Sequence, residues 1–137
     1  MAFFGDCIAT EYLRLGDLFN YVRVGITREE RMCKQAFLQI LAGVAHLHEL
    51  GFANRDIKLQ NIFVNDDGKI VMADFGFGSM LQGSEQSGLL KTRLGTALYM
   101  PPEIFNGQRY KGIPVDIYSL GVTLFAMRSV SYPFEQF

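Results

Sequence analysis

The chain has 137 residues, enough for one compact domain and too few for two of ordinary size. Its 49% apolar and 20% charged residues, with 14 Gly and only 4 Pro, exclude a disordered or collagen-like chain and supply the side chains for a core. A net charge of −1, without any long run of like charge, excludes a polybasic surface, so neither a nucleic-acid nor a membrane partner is expected.

Residues 1–13 are apolar and β-prone, broken by Gly5 and Asp6, with room for a strand and then an extended segment. Residues 17–24 read as a short helix, because Leu18, Tyr21 and Val22 fall at i, i+3 and i+4. Thr27 and Glu30 have the spacing of a capping box, in which hydroxyl and carboxylate each bond the other's backbone N–H. Met32, Ala36, Phe37, Ile40, Leu41, Val44 and Leu47 then recur at helical spacing, and Gly51 follows as a left-handed cap. The pattern predicts a helix over 28–50 with one buried face.

Residues 62–64 and 69–73 are short β-prone runs around Asn65-Asp66-Asp67-Gly68, a hairpin turn signal. From 76 to 100 no period survives, and irregular chain of that length is usually a functional or disordered loop. Residues 116–128 read as a helix apolar nearly all round, the pattern of one buried in a larger structure. The most apolar window, 117–127, is too short to cross a bilayer and is interrupted by Ser119, Gly121 and Thr123. The first residues lack the basic region and long apolar run of a signal peptide. Cys7 and Cys33 have no metal-binding spacing, and a disulfide between them is only weakly favoured. The expected location is cytoplasmic or nuclear.

Two carboxylates stand beside β-prone runs and before polar or glycine-rich bends, Asp56 and Asp74. Asn54-Arg55-Asp56-Ile57-Lys58-Leu59-Gln60-Asn61 gathers a base, a phosphate-neutralising cation and an amide metal ligand. Asp74-Phe75-Gly76 offers a second carboxylate at a strand end, and Mg2+ is commonly held by one or two such oxygens with phosphates and water completing the shell. His46 and His48 are two apart on a helix and face different sides, so they read as packing and surface residues rather than a shared metal site.

On these residues the chain resembles the protein kinase family, serine/threonine type, and Leu90-Lys91-Thr92-Arg93-Leu94-Gly95-Thr96 resembles the activation loop of its calcium/calmodulin-dependent and AMP-activated group. Asn54 to Asn61 is similar to the catalytic loop H-R-D-x-x-x-x-N with Asn in place of His, Asp74-Phe75-Gly76 is D-F-G, and Pro101-Pro102-Glu103 stands where A-P-E is expected. Leu47-His48-Glu49-Leu50-Gly51, Gly95-Thr96, Tyr99-Met100 and Asp116-Ile117-Tyr118-Ser119-Leu120-Gly121 extend the match. Thr10-Glu11-Tyr12-Leu13 resembles the gatekeeper and hinge. The fold implied is a partial protein-kinase-like fold, C-terminal lobe only: mainly α with a small β-hairpin, 1–13 ending the N-lobe and hinge and 14–137 an incomplete C-lobe. The glycine-rich loop, the strand lysine and its glutamate partner have no counterpart within these residues, nor does the arginine that would pair with Glu103.

The resemblance implies ATP and Mg2+ as cofactors and a protein substrate. Asp56 would accept the substrate hydroxyl's proton, Lys58 would neutralise the transferring phosphate, and Asn61 and Asp74 would hold Mg2+. The backbone of Glu11 and Leu13 would meet adenine, Phe63 would lie under the ring, and Asp17 would meet the ribose or a basic substrate residue. Arg55 would pair with a phosphate placed on Thr92 by an upstream activating kinase. Lys58 and Thr96 match the serine/threonine class rather than the tyrosine class. Because Asn54 is smaller and more polar than His, it would weaken the apolar column under Phe75. With no counterpart of the glycine-rich loop and strand lysine, the 137 residues by themselves are expected to transfer phosphate slowly or not at all, and a non-catalytic pseudokinase-like interaction protein is the alternative.

Overall fold

Asp17 starts the first helix, α1 (Leu18–Arg23), by accepting the Asn20 N–H on Oδ1 at 3.0 Å. The helix buries Leu18 and Val22, and Gly25, at φ +83, turns the chain out of it. In the computed structural model, which describes residues 10–81 and 89–134, a 3-10 turn at Ile26–Arg28 follows, and then α2 (Glu30–Glu49). The expectations for residues 1–9, including Cys7, and for the loop hydroxyls Ser84 and Ser87 lie outside the described residues.

The capping box is not formed. The Thr27 hydroxyl donates to the Met127 carbonyl at 2.6 Å, and α2 begins two residues beyond the expected start with Glu29 as a cap that makes no side-chain bond. A buried hydroxyl needs a partner wherever it finds one, and at Thr27, 3% exposed, the packed end of another helix is the nearer acceptor. Thr27→Val should therefore cost about 1–3 kcal/mol, by stranding the Met127 carbonyl, whereas Glu30→Ala should stay within about 0.5 kcal/mol. Urea midpoints of the two variants decide between them, since a capping box would make both losses similar.

Helix α2 buries Cys33, Ile40 and Val44 and ends where Gly51, at φ +79, takes the left-handed conformation expected of it. Cys33 is a free buried thiol. Strand β1 (Phe52–Ala53) comes next, then β2 (Ile62–Val64) and β3 (Ile70–Met72), antiparallel with Ile62 opposite Met72 and Val64 opposite Ile70. The turn between them closes as the sequence predicts: Asn65 Oδ1 accepts the N–H groups of Asp67 and Lys69, and Gly68 sits at φ +74. The sequence pattern shows no sign of β4 (Ser79–Met80), which pairs antiparallel with β1 in a second small sheet.

A short helix, α3 (Pro102–Phe105), precedes α4 (Gly112–Ser129). Helix α4 begins ahead of the expected Asp116 because Pro114 stands in its first turn, where a missing N–H costs nothing. Val115, Asp116, Ser119, Leu120, Val122, Thr123, Ala126 and Met127 are buried, whereas Ile113, Ile117, Leu124 and Phe125 remain exposed among the described residues. The main core joins α1, α2, the 57–62 segment and α4 through Leu18, Ile40, Ile57, Ile62, Leu120 and Met127. Fully burying an Ile, Leu or Met side chain contributes about 1.5–3 kcal/mol, so this cluster anchors the segment from Asn54 to Asn61 on two helices. The described residues are thus partly helical with two small antiparallel sheets, and no helix among them is long and apolar enough to cross a membrane.

Candidate active site

Asp116, wholly buried near the start of α4, organises the loop between β1 and β2. Its Oδ1 accepts the Arg55 N–H at 2.7 Å, and its Oδ2 accepts the Asn54 N–H at 2.9 Å and lies 2.7 Å from His48 Nε2. These bonds hold Arg55 at φ +66, a left-handed conformation that costs a non-glycine residue about 1–2 kcal/mol. Asn54 adds a further constraint, since its Oδ1 accepts the Asp56 N–H at 3.0 Å. The residue that replaces histidine thus fastens the turn that aims Asp56, a contribution its size and polarity did not suggest.

Asp56, 3% exposed, gathers three side chains. Oδ1 accepts the Thr96 hydroxyl at 2.8 Å, and Oδ2 accepts Lys58 Nζ at 2.7 Å and Asn61 Nδ2 at 3.0 Å. Lys58 also donates to Thr96 Oγ1 at 2.9 Å, closing a triangle of carboxylate, ammonium and hydroxyl. A buried carboxylate is tolerable when each oxygen has donors and a cation is in contact, both of which hold here. Gly95 brings Thr96 to it: at φ +115 its Cα lies so near the Arg55 carbonyl that an added Cβ would stand 2.9 Å from that oxygen.

The β2–β3 register delivers the second carboxylate. Asn61 enters β2 and Asp74 follows β3, so antiparallel pairing returns the chain to the same end, with the Ala73 N–H on the Asn61 carbonyl at 2.9 Å. Asp74 is exposed, sits at φ +59, and accepts the Gly76 N–H at 3.2 Å. Asn61 Nδ2 is committed to Asp56, which leaves its amide oxygen and the Asp74 carboxylate as two hard oxygen donors at one end of the hairpin. That donor set fits Mg2+.

The remaining sequence-predicted residues are placed as follows. Arg55 is 8% exposed; its Nε donates to the Phe77 carbonyl at 2.7 Å and its guanidinium to the Tyr110 hydroxyl at 3.3 Å, which in turn donates to the Thr92 carbonyl at 2.6 Å. Arg55 therefore reaches the Thr92 backbone through Tyr110, while the Thr92 residue itself is exposed. Phe63, half-buried, pairs across an isolated bridge with Asp17, whose carboxylate is occupied in capping α1. Glu11 is exposed and Leu13 half-buried, and among the described residues no hydrogen bond or ion pair joins either to the Asp56 cluster.

The sequence reads His48 as a packing or surface residue; the structure packs it and adds a bond that the helical spacing does not show, its ring on Asp116. Tyr110 carries no signal in the sequence, and Tyr99 enters there only within the Tyr99-Met100 match, with nothing to mark its phenol as buried. Burial, and next the neighbouring Tyr132 hydroxyl, push the Tyr99 phenol well above its ordinary pKa, so it remains a neutral O–H. A legible signal for Asp116 was its place in an otherwise apolar helix, because a carboxylate there must be fully hydrogen-bonded.

Residues 6–137 match the family model of the protein kinase domain. The chain is 36% identical over 128 residues to CBL-interacting serine/threonine-protein kinase 13 of Arabidopsis thaliana, covering 93% of this chain and 25% of that protein. It is 37% identical over 127 residues to CBL-interacting protein kinase 5 of Oryza sativa subsp. japonica, covering 93% and 27%. It is also 37% identical over 130 residues to NUAK family SNF1-like kinase 1 of Homo sapiens, covering 95% and 19%. The chain spans about a quarter or less of the length of these relatives. With a matched model over nearly its whole length, an aspartate cradled by lysine, asparagine and threonine, and the D-F-G turn beside it, the chain belongs to the protein kinase family.

Proposed function

We propose that the chain carries the phosphoryl-transfer site of a serine/threonine protein kinase, as part of that enzyme's C-terminal lobe. The observation that supports this most is the Asp56 carboxylate, buried and aimed by Thr96, Lys58 and Asn61 at once. Phosphoryl transfer is mostly positioning and charge stabilisation, so an immobilised carboxylate beside an ammonium is the part such a site most needs. Asp56 orients the substrate hydroxyl and takes its proton. Lys58 neutralises charge on the transferring phosphate, and Thr96 keeps the two in register.

Asn61 and Asp74 are the residues that would hold Mg2+, which when bound neutralises the phosphates of ATP. The backbone of Glu11 and Leu13 would meet adenine, Phe63 would lie beneath the ring, and Asp17 would face the ribose or a basic substrate residue while it caps α1. Thr92 is the residue modified by an upstream kinase, and Arg55 takes the phosphate once Tyr110 releases the guanidinium.

The test is transfer from Mg-ATP to serine/threonine peptides by the chain fused behind a segment that supplies a glycine-rich loop and strand lysine. Asp56→Asn should lower the rate by about 10²–10⁴-fold, the usual contribution of a positioned base, and Asp74→Asn should abolish Mg-dependent nucleotide binding. The unfused 137 residues should be slow or silent. A folded fusion that binds Mg-ATP yet shows no Asp56-dependent transfer would overturn the reading and leave a non-catalytic interaction protein.

A further inference from the structure

Beyond α4 the chain makes an abrupt reversal. Val130 caps the helix at φ +57 and ψ +27, a left-handed conformation in which a β-branched residue is an outlier. Strain of that kind persists only where the surroundings over-determine it. Here two serines brace the turn: Ser129 Oγ lies 2.8 Å from the Phe125 carbonyl and 3.0 Å from both the Ser131 carbonyl and the Ser131 hydroxyl. The reversal returns Tyr132 to the body of the protein, edge-on to the Tyr99 ring with centroids 5.5 Å apart and planes at 82°. The two hydroxyls are 3.1 Å apart.

Tyr99 touches both arms of the Asp56 cluster. Its hydroxyl accepts the Leu59 N–H at 3.4 Å, the long end of hydrogen-bonding range, in the turn between Lys58 and Asn61. Its N–H donates to the Thr96 carbonyl at 2.9 Å, and its own carbonyl accepts the Ser119 hydroxyl from α4. Tyr99 is 2% exposed, and among the described residues its hydroxyl has two hydrogen-bond partners, the Leu59 amide and the Tyr132 hydroxyl. Without Tyr132, the long Leu59 bond is the one hydrogen bond left to the hydroxyl among the described residues.

We infer that Tyr132 is a positioning residue for the catalytic loop, acting through the Tyr99 hydroxyl on the segment that carries Lys58 and Asn61. The inference rests on the proposed phosphoryl-transfer reading for its functional meaning, but the strut itself is a property of the folded chain. Tyr132→Phe keeps the ring and its edge-to-face packing and removes only the oxygen, so the fold is expected to survive.

Amide hydrogen exchange on the 137-residue chain tests it. A hydrogen bond of this kind contributes about 1 kcal/mol, so Tyr132→Phe should raise exchange at Leu59, Gln60 and Asn61 about fivefold while α2 and the middle of α4 keep their protection. Tyr99→Phe should do the same, and the double variant should add nothing, as expected of two groups in one connection. Unchanged exchange at 59–61, or a rise spread evenly through α2 and α4, would overturn the inference. In the fusion used to assay transfer, Tyr132→Phe should lower kcat with KM unchanged. A fusion inert with the native sequence would count against the functional reading alone, and the exchange result would still decide whether Tyr132 fixes the loop.

Discussion

Asp116→Ala should cost the chain about 3–5 kcal/mol, the loss expected when one member of a buried charged network is removed and its partners are stranded. Three donors converge on this carboxylate, from His48, Asn54 and Arg55, and all lie in the interior or at its edge. Two are backbone amides that have no other way to be satisfied while Arg55 stays at φ +66. Once they are released, the left-handed conformation has nothing to hold it, and Asp56 loses its aim along with its support. Asp116→Asn keeps the volume but offers one acceptor oxygen and an NH2 group facing donors, so it should be nearly as damaging. Domains are stable by about 5–15 kcal/mol in all, so the alanine variant should be close to unfolding at 25 °C. Urea or thermal unfolding of the two variants measures this. A midpoint equivalent to a loss under 1 kcal/mol for both would show that the carboxylate is not what holds the loop.

Gly112→Ala should be the most damaging of the small substitutions, at about 2–3 kcal/mol, because it overpacks a closed contact. A Cβ at Gly112 would stand 2.4 Å from Ala53 Cβ, with Leu81 and Leu90 side-chain carbons at 3.5 and 3.8 Å behind it. Neither side can yield cheaply: Ala53 is 1% exposed in β1, one residue before the loop that Asp116 grips, and Gly112 opens α4. The clash is between two β-carbons, so removing the other should relieve it. In the double variant Ala53→Gly/Gly112→Ala the two losses should sum to more than the observed loss, with a coupling above about 1 kcal/mol. Strict additivity in thermal unfolding would place the damage elsewhere.

Several features were legible because each is written in neighbouring residues. The spacing of Leu18, Tyr21 and Val22 announced α1, and the apolar stripe up to Gly51 announced α2. The Asn65-to-Gly68 turn closes on its own side chain, so the β2–β3 hairpin, with Asp74 after its second strand, was also readable. Where the reading failed, a short-range partner competed with one far along the chain. Thr27 had Glu30 three residues away and bonds Met127, 100 residues away. Strand β4 is two residues long and exists only because β1 lies beside it, so no periodicity could reveal it. Asn54 is a different case: its partner, the Asp56 amide, is only two residues away, but a side-chain bond within a non-repeating loop leaves no period to read.

By itself the sequence determined the chemical inventory and its order: an aspartate, lysine and asparagine in one loop, a second aspartate after a hairpin, and the helices that flank them. These are local matters, set by spacing, turn chemistry and apolar period. Only the tertiary structure decided which groups meet. Thr96 reaches Asp56 across 40 positions, and Asp116 holds Asn54 and Arg55 across 62 and 61. A buried polar group must be satisfied but does not specify by whom; the choice falls to whichever donor the packed core brings within about 3 Å.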